Sequence, residues 1–208
     1  MLKFPYSLNR CQKSIVAVLI LCCCCAHTWL YNALLLPFDR QVLTWVHDYS
    51  APWLDQVALV ITLCADPFAL SLFVLVALYG LKIPLARASR ILCFFGIVLL
   101  VCFFLKWLTG RTRPDLWTSL RPEAWYSFPS GHTLMAGVIS HTIARLFVEK
   151  FPARERFFCR LALLYTLAVG WSRLSLGVHW PTDVLASLLL SHVSLRFFQA
   201  NRKPPQVA

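Results

Sequence analysis

The sequence predicts an all-α polytopic membrane protein, a six-helix transmembrane bundle, and three observations carry that prediction. Of the 208 residues, 59% are hydrophobic. Only 14% are charged, where soluble domains run near a quarter. Apolar windows recur along the chain at lengths near the roughly 20 residues that a spanning helix needs.

The windows are residues 14–36, 56–80, 91–108, 133–148, 161–178 and 184–198. The first follows Lys3, Arg10 and Lys13 and continues through "WLYNALLL". That is longer than a signal-peptide core, so a retained first helix is expected. The second carries Asp66 and Pro67 deep inside it. An acid within a span is a functional candidate by default, although a protonated or donor-paired carboxyl is the plainer reading. The third closes on Lys106, and the fourth begins behind "PSGH". The fifth runs past Arg173, and the sixth follows "HWPTD". The last three are short or interrupted. Six spans consume most of the chain, so residues 1–208 are expected to form a single integral-membrane domain, with no internal repeat and no second domain.

The formal net charge of +11 is a topology signal and argues against nucleic acid as a partner. Fourteen of the twenty basic residues fall on one side of a six-span arrangement: Lys3, Arg10, Lys13, Lys82, Arg87, Arg90, Arg145, Lys150, Arg154, Arg156, Arg160, Arg196, Arg202 and Lys203. The positive-inside bias assigns that side, with both termini, to the cytoplasm. All eight tryptophans map to the other half, as an interfacial belt would place them. Nine cysteines, four of them consecutive at Cys22–Cys25, are odd in number and lack metal-ligand spacing. They read as small apolar filler.

Six basic residues remain on the external side: Arg40, Lys106, Arg111, Arg113, Arg121 and Arg173. Snorkelling to headgroups accounts for one or two of them. It does not account for the convergence of three polar segments, "KWLTGRTRP", "PSGH" and "SRLSLGVHWPTD", on one membrane face. Guanidinium forks bind phosphate oxygens bidentately and lysine adds a compact charge, so Lys106, Arg113 and Arg173 suit an anion. Ser130 is a good N-cap, which would leave the amides of Gly131 and His132 as free donors at a helix start. By itself "PSGH" is most simply a cap. Pro181 suits the first position of the last helix, with His179 just before it and Asp183 in its first turn. The carboxylate is then placed to hold one ring N–H of His179 and turn the other nitrogen outward. Such a pair alone is more often structural than catalytic.

With Lys-x6-Arg-Pro, Pro-Ser-Gly-His and Ser-Arg-x5-His-x3-Asp in this order, the stretch from Lys106 to Asp183 resembles the type-2 phosphatidic acid phosphatase family, whose members include bacterial membrane lipid phosphatases. The resemblance implies a metal-independent lipid phosphatase without a cofactor, in which His179 attacks phosphorus to give a phosphohistidine and Asp183 orients it. It implies that His132 protonates the leaving oxygen and then helps activate water. Lys106, Arg113, Ser130, Gly131 and Arg173 would hold the phosphoryl oxygens. Two charge states follow for the histidines, His179 neutral and His132 protonated, and with them a bell-shaped pH profile. The substrates implied are undecaprenyl diphosphate, phosphatidylglycerol phosphate, phosphatidate or a lipid A phosphate, met at the outer face of a bacterial inner membrane. Two alternatives stay open: a lipid phosphotransferase using the same site, and a non-catalytic anion-binding or transport protein. Transport is disfavoured because no inverted repeat is visible. His141 reads as a satisfied core histidine, while Arg111, Arg121, Trp117 and Trp125 are candidates for the headgroup entrance. His27, His47 and His192 have no evident partner.

Overall fold

The computed structural model describes residues 34–200, and every regular element among them is helical. Seven α-helices follow in order: α1 (Leu36–Asp48), α2 (Pro52–Cys64), α3 (Pro67–Gly80), α4 (Leu85–Thr109), α5 (Gly131–Lys150), α6 (Glu155–Ser175) and α7 (Pro181–Ala200). A short 3₁₀ turn, Pro152–Arg154, leads into α6. Prolines open α2, α3 and α7, where the missing N–H costs nothing and the fixed φ favours a helix start.

The windows expected at residues 91–108, 133–148, 161–178 and 184–198 correspond to α4 through α7, with α6 ending three residues early. Two expectations are corrected. The window 56–80 is not one continuous helix: α2 and α3 meet at a 54° bend over Ala65 and Asp66. Pro67 is the cause, since its ring disfavours helical geometry at the preceding residue and its nitrogen cannot donate. Helix α1, just after the first window, was not expected. The window 14–36 lies almost wholly outside the described residues, as do Lys3, Arg10, Lys13, Cys22–Cys25, His27, Trp29, Arg202 and Lys203.

Helix α4 and the stretch Pro152–Ser175 are each long and apolar enough to cross a membrane, and the bent α2–α3 pair makes a third candidate. The outward faces carry Leu72, Val76, Ile97, Leu100, Phe104, Leu164 and Leu167 exposed. In water so large an apolar surface would drive association; against lipid tails it is the expected surface of a membrane protein. Helices α5 and α7 are 20 residues each but more polar, because their polar side chains turn into the bundle. Thr142 donates to Val138 O at 2.8 Å, Ser187 to Asp183 O at 2.7 Å and Ser191 to Leu188 O at 2.8 Å. Each hydroxyl is satisfied by its own helix and enters an apolar interior cheaply.

Helix α5 is the central element. Leu134, Val138, Ile139, Ile143 and Leu146 bury against Leu70, Val74 and Leu78 of α3 and Ile91, Phe94, Phe95 and Val98 of α4. On its other side it meets α6 and α7 at Gly137, where an added Cβ would come within 2.7 Å of Ser191 Oγ and 3.3 Å of Thr166 Cγ2. Only glycine permits that crossing, the small-residue contact typical of packed membrane helices. His141 is satisfied as expected, donating from Nδ1 to Gly137 O at 2.9 Å. Of the cysteines in the described residues, Cys102 is buried while Cys64 and Cys93 are exposed, so filler describes only part of the set.

Candidate active site

The end of α4, the segment 110–130, the start of α5, the end of α6 and the start of α7 meet at one end of the bundle. Lys106 is buried in the last turn of α4 and donates from Nζ to Tyr126 O at 2.6 Å. Arg113 donates through Nε to Trp125 O at 2.6 Å and through Nη1 to Val178 O at 2.6 Å. The segment between α4 and α5 is anchored by the Ser127 amide, which donates to Arg111 O at 2.8 Å. It is pinned again by Trp117, which stacks on His47 with centroids 4.0 Å apart. Trp117 also lies against Gly177, where a Cβ would come within 2.7 Å of its ring and φ is +65°.

Ser130 stands at the N-cap of α5 as expected, but its hydroxyl makes no capping bond. It meets the Thr133 hydroxyl at 3.0 Å instead. The first intrahelical bond runs from the Leu134 amide to Ser130 O, so the amides of Gly131, His132 and Thr133 have no intrahelical acceptor. His132 faces Arg173 and Glu123 electrostatically, and its Nε2 is buried without a hydrogen-bond partner.

Arg173 is wholly buried. Its Nη1 donates to Thr62 of α2, its Nη2 to Glu123 Oε1 at 2.5 Å, and its Nε has no partner. The other oxygen of Glu123 lies 3.8 Å from Arg113 Nη2. A carboxylate from the 110–130 segment thus bridges two of the three cations read from the sequence as an anion cradle.

His179 is 1% exposed, between α6 and α7. Arg113 Nη1 lies 3.2 Å from its Nε2. A guanidinium cannot accept a hydrogen bond, so Nε2 carries the lone pair and Nδ1 the proton. That Nδ1–H faces Asp183 Oδ2 at 3.4 Å. Burial first, then the charges of Arg113, Arg173 and Lys106, hold His179 well below the ordinary imidazole range. It is neutral at neutral pH. Burial alone would raise Glu123; the charges of Arg173, His132 and Arg113 outweigh it and keep the carboxyl ionised, below its ordinary value.

Asp183 is fully buried with both oxygens engaged. Arg111 donates to Oδ1, and the Ser127 hydroxyl and the Trp180 amide, the latter at 2.9 Å, donate to Oδ2. Arg111 is therefore no headgroup-entrance residue. Its second nitrogen, Nη2, donates to Asp39 of α1 at 2.6 Å. Asp39 in turn accepts from the Thr182 amide at 2.9 Å and the Thr182 hydroxyl at 2.6 Å. Asp66 is not a lone acid in an apolar helix: it sits at the α2–α3 break and pairs with Arg121 at 2.7 Å.

The eight predicted site residues thus gather at one end of the bundle. Asp39, Thr62, Glu123, Ser127 and Thr182 were not foreseen. Asp39 alone carried a usable signal, an acid within a largely apolar stretch.

Residues 87–203 match the PAP2 superfamily. The chain belongs to that superfamily. Phosphatidylglycerophosphatase B of Bacillus subtilis is 35% identical over 67% of this chain and 70% of the relative. A putative undecaprenyl-diphosphatase, YbjG of Escherichia coli, is 31% identical over 67% and 69%. Among solved structures, a transmembrane PAP2-type phosphatidylglycerolphosphate phosphatase from Bacillus subtilis superposes with TM-score 0.74 at 26% identity, over 91% of this chain and 96% of that one. Aquifex aeolicus LpxE shares the fold, with TM-score 0.61 at 20% identity over 76% and 93%. All eight predicted site residues lie inside the PAP2 match; Asp39 and Thr62 lie outside it.

Proposed function

We propose that this PAP2 lipid phosphatase hydrolyses a phosphomonoester or diphosphate of a membrane lipid through a phosphohistidine on His179. The observation that carries this reading is the Arg113–His179 contact, which leaves the Nε2 lone pair on the side of Lys106, Arg113 and Arg173. Nε2 attacks phosphorus in line, the bond to the lipid oxygen breaks, and His132, which takes up a proton once the bound phosphate offsets the charge of Arg173, gives that oxygen the proton. Water then surrenders a proton to His132 and attacks phosphorus, and the P–N bond breaks. Asp183 keeps the proton on Nδ1 throughout. Lys106, Arg113, Arg173, Ser130 and the amides of Gly131 and His132 receive the phosphoryl oxygens. Phosphoryl transfer depends mainly on positioning and charge stabilisation, which fixed cations and amide donors supply.

Relatives named for phosphatidylglycerol phosphate, undecaprenyl diphosphate and the lipid A 1-phosphate support a lipid phosphate as substrate. The basic residues support an orientation with both termini in the cytoplasm, six spans within a single domain of residues 1–208, and the site at the outer face of the inner membrane.

The test is phosphate release by purified protein in detergent, with chelator, against a panel of lipid phosphates, beside His179→Ala. Release that needs His179, with an acid-labile, alkali-stable phosphoenzyme trapped during turnover, is expected. A phosphoenzyme surviving in His179→Ala would remove the assignment. Phosphate appearing on a second lipid instead of in water would make the protein a transferase. Because burial and neighbouring cations lower His179, protonation of the nucleophile sets in only on the acid side of its ordinary value. The acid limb of kcat/KM is therefore expected below about pH 6.5.

A further inference from the structure

Behind Asp183 lies a buried chain of charge that the phosphatase motifs do not contain. Arg111 is held at both ends of its planar fork: Nη1 by Asp183 and, at 2.9 Å, by the Thr182 hydroxyl, and Nη2 by Asp39 at 2.6 Å. Asp39 is 0% exposed, as is Asp183. It also binds the start of α7 directly, through the Thr182 amide and hydroxyl, so a carboxylate on α1 caps the helix that carries Asp183. Three charges placed out of water are costly to a fold, and apolar replacements of buried ion pairs are often neutral or stabilising. Fold stability alone does not account for their presence.

We infer that Asp39 is a positioning residue for the nucleophile, acting through Arg111 and Thr182 on Asp183. Arg111 alone would neutralise Asp183, leaving the Nδ1 side of His179 without net charge. With Asp39 the trio Asp39–Arg111–Asp183 carries a net charge of −1. Lys106 of α4, Arg113 and Glu123 of the 110–130 segment, His132 of α5 and Arg173 of α6 face the site from the other elements, and their balance is positive. The imidazole of His179 lies between a negative back and a positive front. That field favours the Nδ1–H tautomer and an electron-rich Nε2, the form that attacks. The guanidinium fork also limits rotation of the Asp183 carboxylate, since Asp39 fixes its far end.

The inference rests on the phosphohistidine reading, and the experiment separates the two. Asp39→Asn keeps an oxygen for Thr182 and removes the negative charge that faces Arg111. Phosphate release from a lipid phosphate in detergent should show kcat lower by about 10- to 100-fold, the range seen when partners behind a ligating histidine are lost. KM and the inhibition constant of inorganic phosphate should stay within about threefold, because the cradle is untouched. A folded Asp39→Asn protein, judged by its melting curve, with wild-type kcat or with only KM raised, overturns the inference. If that variant does not fold, Arg111→Lys replaces it: an ammonium keeps the charge but cannot bridge two carboxylates as a fork does. Lowered kcat in folded Arg111→Lys supports the inference, and wild-type kcat overturns it. His179→Ala is run alongside. Turnover without His179 removes the nucleophile itself, whereas an inactive His179→Ala beside a fully active Asp39→Asn removes only the role of Asp39.

Discussion

The two flanks of His179 differ in how their polar groups are satisfied. On the Nδ1 side, buried Asp183, Arg111 and Asp39 are joined in a network that half-buried Thr182 completes. On the Nε2 side, Arg173 Nε and His132 Nε2 are buried without partners, and Glu123 is shared between two guanidinium groups. Buried polar atoms normally find partners, and the exceptions call for an explanation. At the back, all four carboxylate oxygens of Asp39 and Asp183 are engaged within the protein, which holds them in one geometry. The front keeps buried polar nitrogens that the described residues do not engage, which suits the phosphoryl-binding role proposed for it.

The contrast predicts different kinetic consequences for the two flanks. Asp183→Asn should be the most severe change: the amide can present N–H toward Nδ1 and reverse the tautomer, a loss of about 10⁴-fold in kcat by analogy with orienting carboxylates elsewhere. Single-turnover phosphate release measures it, and a wild-type rate would show the back to be ornamental. At the front, Arg173→Ala should lower kcat/KM by about 10²–10³-fold, the usual cost of one donor to developing charge. Steady-state kinetics with Arg173→Lys, which keeps the charge without the fork, should give an intermediate value. Glu123→Gln should act in the opposite sense. Hydrogen bonds to ionised groups contribute about 1.5–3 kcal/mol, so relieving Arg173 of a charged partner should tighten inorganic phosphate by about 10- to 100-fold. Weaker phosphate binding would mean that Glu123 supports the cradle instead of competing for it. The smallest effect belongs to Asp66→Asn. Its pair with Arg121 is partly exposed, so the melting curve should move by no more than about 1 kcal/mol and kcat should not change.

Much of the front was legible in the sequence because its members are polar residues in apolar surroundings. In a six-span reading Lys106, Arg113 and Arg173 run against the positive-inside bias, and "PSGH" places polar groups at the head of an apolar helix. The back was less legible. Arg111 was visible as a misplaced cation, but its partner Asp39 lies 72 positions away and Thr182 lies 143 positions from Asp39. Such separations are set by helix packing, which hydropathy does not encode. Glu123 gave no signal at all, since a single acid in a polar loop is ordinary. The bend at Asp66 was written in the Asp-Pro dipeptide, yet the apolar run on both sides read as one continuous span.

Asp39 stands nearly fifty residues before the stretch that matches the superfamily. A portable catalytic cassette cut at the edge of that match would keep every motif residue and lose one of Arg111's two acids. By this geometry the unit that can be transplanted is larger than the unit that can be recognised, and any chimera that grafts the motifs onto another helical frame has to bring helix α1 with them.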